Sequence, residues 1–158
     1  MAAIQPPTGN YVSGGKHGAY NAVDYGARTS RLIPFFNSKN IYAVEDGKIT
    51  NYGPSGTMGN RLELTSADGK RRWAMGHLEQ ALVKIGTVVK RGQLIGIMGY
   101  TGYTIPKGLW GTHLHLVCNV AGKYPYPPTL MNTPFSVYTP ATANKSNLAI
   151  AKEVVAGV

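Results

Sequence analysis

Glycine and proline punctuate this chain throughout: 20 Gly and 10 Pro stand among its 158 residues. Turn formers at that density predict many short strands joined by loops. Ten Tyr, with Val and Ile in short runs, also suit pleated sheet better than helix. Hydrophobic residues make up 43% and charged residues 15%, so the chain is globular rather than disordered. Its length allows one domain with a substantial core.

The order of segments gives a mostly β chain. Residues 1–16 are rich in Pro, Gly and Ser and read as an extended lead-in. Residues 25–40 show little periodicity and read as a long loop. Ile41–Val44 and Lys48–Tyr52 flank Asp46-Gly47, and an Asp-Gly pair between β-prone runs predicts a hairpin. The same device recurs at Asp68-Gly69, between the Leu62/Leu64 alternation and Arg72–Met75. Residues 82–98 hold apolar pairs broken by Gly86, Gly92 and Gly96, which predicts short strands and tight turns. Residues 99–111 form another loop, and Thr112–Val120 a strand. The Pro-rich stretch 123–140 excludes regular structure. Ser146–Val155 can form a short C-terminal helix, with Ser146 as N-cap.

Sixteen Lys+Arg against seven Asp+Glu give a formal charge of +9, scattered apart from Lys70-Arg71-Arg72. Such charge suits a broad anionic surface but does not choose among them. No reading helix and no interleaving of basic and aromatic residues supports specific nucleic-acid recognition. The lone Cys118 excludes an internal disulfide and reads as a small buried hydrophobe. No apolar stretch reaches membrane-spanning length.

The chain has four histidines: His17, His77, His113 and His115. His113 and His115 sit two apart in a predicted strand, so their side chains share a face while Leu114, Leu116 and Cys118 share the other. His17 and Asp24 precede the first predicted strands. Imidazole and carboxylate are both good zinc ligands. His17, Asp24 and one histidine of the later pair would give three protein ligands and leave a fourth position for water, the pattern of a catalytic site. His77, taken alone, reads as a satisfied histidine at a strand end.

In order along the chain, His17/Asp24, Gly76-His77-Leu78 and Gly111-Thr112-His113-Leu114-His115 resemble the landmarks of the lysostaphin-type zinc peptidoglycan endopeptidases. The intervening Val44–Ile49, Gly59–Leu64, Lys84–Gly96 and Gly99–Gly102 are similar too, so the resemblance covers roughly residues 15–120. It implies one metallopeptidase domain over 17–140 and a tail or short helix over 141–158. The implied fold is an antiparallel sheet with a substrate groove walled by loops 25–40, 53–59 and 99–111. It implies one Zn²⁺ held by His17, Asp24 and His115, with His77 and His113 as the catalytic pair; which of the two is the base stays open. Tyr25 or Tyr103 would be a candidate additional donor. One departure stands out: six residues separate His17 from Asp24, where the family pattern has three.

The partner so implied is bacterial peptidoglycan, reached outside the cell. No signal peptide is visible at the N-terminus, so the expected origin is a phage, as a tail-associated lysin with other tail proteins as partners or as a free endolysin, the alternative being a leader already trimmed away. Two readings compete. A non-catalytic wall-binding or regulatory module of the same fold would usually lack some ligands, and none is missing here. A biotinyl or lipoyl carrier would share the rhythm of residues 82–98 but needs an exposed carrier lysine at a hairpin tip, and it leaves the histidines unexplained.

Overall fold

The computed structural model describes residues 2–139, so the expected helix over Ser146–Val155 lies outside the described residues. Ten strands make two antiparallel sheets. They are β1 (Val12–His17), β2 (Ala22–Gly26), β3 (Asn40–Tyr42), β4 (Gly47–Pro54), β5 (Asn60–Ser66), β6 (Arg71–Gly76), β7 (Leu78–Ala81), β8 (Val88–Val89), β9 (Leu94–Met98) and β10 (His113–Val120). The large sheet has the order β1-β2-β10-β6-β5-β4-β8 and the small one β3-β9-β7. Among the described residues no helix is long and apolar enough to cross a membrane.

Strand alternation builds the core. Leu62 and Leu64 of β5, Trp73 and Met75 of β6, and Leu114, Leu116 and Cys118 of β10 are each fully buried. They join Ile41, Leu78, Ile95 and Met98 from the small-sheet segments in one cluster. Burial pushes the Cys118 thiol up to about 12, which fits an inert packing role. Glu45 is the charged member of this interior, at 2% exposure. Its carboxylate accepts two hydrogen bonds from Arg71, at 2.7 and 2.9 Å, and one from the Trp73 indole at 2.7 Å.

The Asp68-Gly69 hairpin forms as expected, joining β5 to β6 with Thr65 opposite Arg72. Gly69 takes a φ of 75°, and Asp68 Oδ1 accepts from the Lys70 amide and the Ser66 hydroxyl. Asp46-Gly47 does not form a hairpin. β3 pairs with β9 in the small sheet, whereas β4 pairs with β5 and β8 in the large one. The pair marks the point where the chain changes sheets. Asp46 Oδ1 accepts from the Arg91 amide at 2.8 Å, and a Cβ on residue 47 would stand 2.2 Å from the Thr65 carbonyl oxygen. Close backbone approach, rather than a tight turn, requires glycine there.

The N-terminal segment is extended but integral. Gln5 is fully buried, its amide donates to the Val44 carbonyl, and its side chain donates to the Ser136 carbonyl at 2.9 Å. The expected boundary between residues 16 and 17 falls inside β1. Of the Pro-rich stretch, the described residues hold a single 3-10 turn, Pro127–Leu130.

Candidate metal centre and active site

Four adjacent strands carry the site in one row. Gly14 of β1 lies opposite Asp24 of β2, Asp24 opposite His115 of β10, and His115 opposite Gly76 of β6. Neighbouring strands lie about 4.8 Å apart, so residues in register are neighbours in space. The two outer positions are glycines, and a Cβ on Gly76 would come 2.9 Å from the terminal methyl of Met58. A Cβ on Gly14 would come 3.1 Å from Asp24 Oδ2.

The β1–β2 hairpin resolves the long spacing between His17 and Asp24. Gly18 and Asn21 take φ of 73° and 52°, His17 lies opposite Ala22, and the register shifts twice along β1. These irregularities carry His17 Nε2 to 3.5 Å from Asp24 Oδ2. On the other side His115 Nδ1 stands 3.0 Å from Asp24 Oδ1. His113 shares the face of His115, as expected, with its Nε2 3.8 Å from Asp24 Oδ2.

His77 sits at the corner where the chain leaves β6 for β7, so it joins the two sheets. Its φ is 65°, a left-handed conformation that costs a non-glycine residue about 1–3 kcal/mol. The surroundings hold it there. Its amide donates to the Met58 carbonyl, and Nδ1–H donates to the Thr101 carbonyl at 2.8 Å. Thr101 is itself pinned, since its hydroxyl donates to the Leu78 carbonyl and accepts from the Asn60 amide. The ring lies 4.7 Å from that of His113 and 5.7 Å from that of His115, centre to centre.

A carbonyl oxygen only accepts, so the partner of each Nδ1 assigns a tautomer. His17 donates from Nδ1 to the Gly15 carbonyl and His113 to that of Gly111, each at 2.7 Å. With His77, three of the four rings donate from Nδ1 to a backbone carbonyl, the arrangement that in a neutral imidazole puts the lone pair on Nε2. Burial opposes ionisation of Asp24. The His115 hydrogen bond and the nearby His113, His115 and His17 outweigh it and hold the carboxyl below its ordinary 3.8. His77 is 6% exposed, and burial lowers its affinity for a proton. His113 and His115 add to that effect, against the Thr101 hydrogen bond and Asp24.

Two sets of donors can each hold an ion: His17, Asp24 and His115, and His77, His113 and His115. Within each set the ligand atoms lie within 4.8 Å of one another. The first combines two neutral nitrogens with an anionic oxygen, a donor set that fits zinc. All five residues line one open cavity of about 350 Å³, together with Thr57, Met58 and Tyr103 to Ile105. Loops 53–59 and 99–111 therefore wall it as expected. Tyr103 lines it, but Tyr25 does not: it is 3% exposed, and its hydroxyl lies 3.6 Å from the Met131 sulfur. Strand alternation puts Asp24 and Tyr25 on opposite faces. The supporting roles of Gly14, Met58 and the Thr101 carbonyl were not legible beforehand, because backbone groups and absent side chains leave no chemical signature in a sequence.

A sheet-borne His/Asp/His donor set beside two further imidazoles in an open groove defines a candidate metallopeptidase centre. The chain belongs to Peptidase family M23, whose profile matches residues 28–127. That match takes in His77, His113 and His115, while His17 and Asp24 precede it. The chain is 38% identical over 113 residues to glycyl-glycine endopeptidase ALE-1 of Staphylococcus capitis, a match covering 67% of this chain and 28% of that protein. It is 37% identical over 113 residues to lysostaphin of Staphylococcus simulans, covering 67% and 21%. It thus spans a small part of these relatives' length. The solved structure of lysostaphin from S. simulans superposes with a TM-score of 0.62 at 28% identity, covering 78% of this chain and 49% of that one.

Proposed function

We propose that this protein is a zinc-dependent endopeptidase that hydrolyses peptide cross-links of bacterial peptidoglycan. The observation that carries the reading is the gathering of the His17, Asp24 and His115 ligand atoms within 4.8 Å of one another, beside two imidazoles each oriented by an Nδ1 bond to a backbone carbonyl. His17, Asp24 and His115 are the proposed zinc ligands. Asp24 is held ionised, so the set supplies one negative charge to a dication. Zinc, when bound, supplies a Lewis acid that polarises a carbonyl and makes water more acidic.

The protein's own groups do the remaining work. His113 is fixed by the Gly111 carbonyl, and its Nε2 is placed to take a proton from an attacking water and return it to the leaving amine. His77 is fixed by the Thr101 carbonyl and kept neutral by burial, so it can order that water or, once protonated, donate to the developing oxyanion. The open cavity admits an extended peptide, and the +9 charge favours an anionic wall.

ALE-1's description as a glycyl-glycine endopeptidase supports a glycine-containing bridge as the first bond to test. The zinc-loaded protein is incubated with purified peptidoglycans of known cross-link type, and released fragments are identified by mass spectrometry. New amino and carboxyl ends within a cross-link, abolished by a chelator and restored by zinc, are expected. Intact cross-links in every wall type would refute the reading.

A further inference from the structure

A second cavity, of about 250 Å³, adjoins the first and shares Asp24, Ile105 and His113 with it. Its other lining comes largely from Tyr11, from Arg28 and Phe36 in the segment between β2 and β3, and from Trp110 just before β10. Trp110 is 73% exposed and stands edge-on to Phe36, with ring centres 6.1 Å apart. Tyr11 is seated on bare backbone: a Cβ on Gly26 would fall 2.5 Å from its ring.

Two guanidinium groups gather on that tyrosine. Arg28 lies 5.5 Å from the ring centre and Arg31 4.6 Å. Arg28 donates to the Ile33 carbonyl at 2.7 Å and to the Tyr11 hydroxyl at 3.0 Å, and Arg31 donates to the Val12 carbonyl at 2.9 Å. All these acceptors are neutral. Among the described residues neither arginine has a carboxylate partner, and the buried Arg28 Nε has no acceptor. A guanidinium has five N–H donors in a fork that matches a carboxylate. The one carboxylate in the cavity lining, Asp24, is already engaged by His115. The cavity thus pairs an apolar aromatic wall with uncompensated positive charge beside the reacting centre.

We propose that this cavity is a subsite for a carboxylate-bearing arm of the peptide, with Arg28 reading the carboxylate and Trp110 and Phe36 covering the apolar portion. This rests on the peptidoglycan reading above. It assigns the segment between β2 and β3 a part in choosing among wall peptides.

The test uses the exposed Trp110 as reporter. Soluble peptidoglycan stem peptides, with carboxylates left free or converted to carboxamides, are titrated into the zinc-loaded full chain while tryptophan fluorescence is followed. The free acids should bind about tenfold tighter, the size of one charge-assisted hydrogen bond near a surface. Trp110→Phe should remove the signal. Arg28→Gln should abolish the preference, Arg31→Gln should narrow it, and Arg28→Lys, which keeps the charge without the fork, should retain part of it. Equal affinity for acid and amide, or a preference that survives the Arg28→Lys and Arg31→Gln changes in full, would overturn the subsite. Wall digestion run in parallel separates the two readings. Cleavage without acid preference removes the subsite alone; acid preference without cleavage leaves the subsite standing and removes the hydrolase.

Discussion

His115 Nδ1 and Asp24 Oδ1 face each other at 3.0 Å across two paired strands, 91 residues apart in sequence. This pair is common ground for the whole site. His115 belongs to both candidate ligand sets, and Asp24 links it to His17. Replacing His115 with Ala should therefore abolish zinc binding and activity together. His113→Ala should keep stoichiometric zinc and lose about 10²–10⁴-fold in kcat, the usual contribution of one acid–base group. Metal content by elemental analysis beside turnover reads both, and zinc retained in the His115 variant would refute its role as a ligand.

Gly14 offers a subtler perturbation of the same row. Its missing side chain leaves Asp24 Oδ2 free, with a hypothetical Cβ only 3.1 Å away, whereas at Gly15 the nearest atom is the Tyr126 hydroxyl at 3.9 Å. Gly14→Val should weaken zinc affinity at least tenfold by displacing the carboxylate. Gly15→Val should leave it within about twofold. Competition with a fluorescent chelator measures both, and equal affinities would show that Asp24 tolerates crowding.

In chelator-treated protein, stability should depend on pH in two separate windows. The folded His77 resists protonation, so as pH falls below 6.5 the unfolded chain takes up a proton that the folded one does not. Stability should then decline from about pH 6.5 down to the lower folded pKa and stay flat above. The folded Asp24 has the opposite origin: its carboxyl is held below 3.8, so its contribution is complete above that value and is lost as pH falls through the folded pKa. Urea unfolding from pH 3 to 8 follows both. His77→Asn should flatten the upper window only.

Away from the site, Glu45→Ala should cost about 3 kcal/mol, because it leaves the buried Trp73 N–H without its acceptor and takes two hydrogen bonds from Arg71, which among the described residues keeps only Asp68 as an anionic partner. Denaturant unfolding would show the loss, while the zinc affinity of the folded protein should be unchanged. A cost under about 1 kcal/mol would mean that water replaces the carboxylate.

What could be read without coordinates was whatever depends on local periodicity. The alternation of residues 113–118 fixed which face of β10 carries imidazoles and which enters the core. Asp68-Gly69 carried its own turn chemistry. β1 and β2, which bring His17 and Asp24, were not legible as strands. Val-Ser-Gly-Gly-Lys-His has weak β propensity, and its extended form comes from pairing with a neighbour. The Asp46-Gly47 pair misled for the same reason, since a dipeptide compatible with a tight turn is equally compatible with a chain crossing close behind another strand.

Residue types and their order thus determined a β-rich chain and marked five side chains as candidates for metal-assisted chemistry. Tertiary structure alone decided that they meet. The meeting depends on strand register and on a strained backbone at His77. It also depends on a Thr101 carbonyl and on glycines at positions 14 and 76. Each of these is a relation between segments distant along the chain, set by packing and hydrogen-bond satisfaction over the whole domain, and no window of sequence contains it.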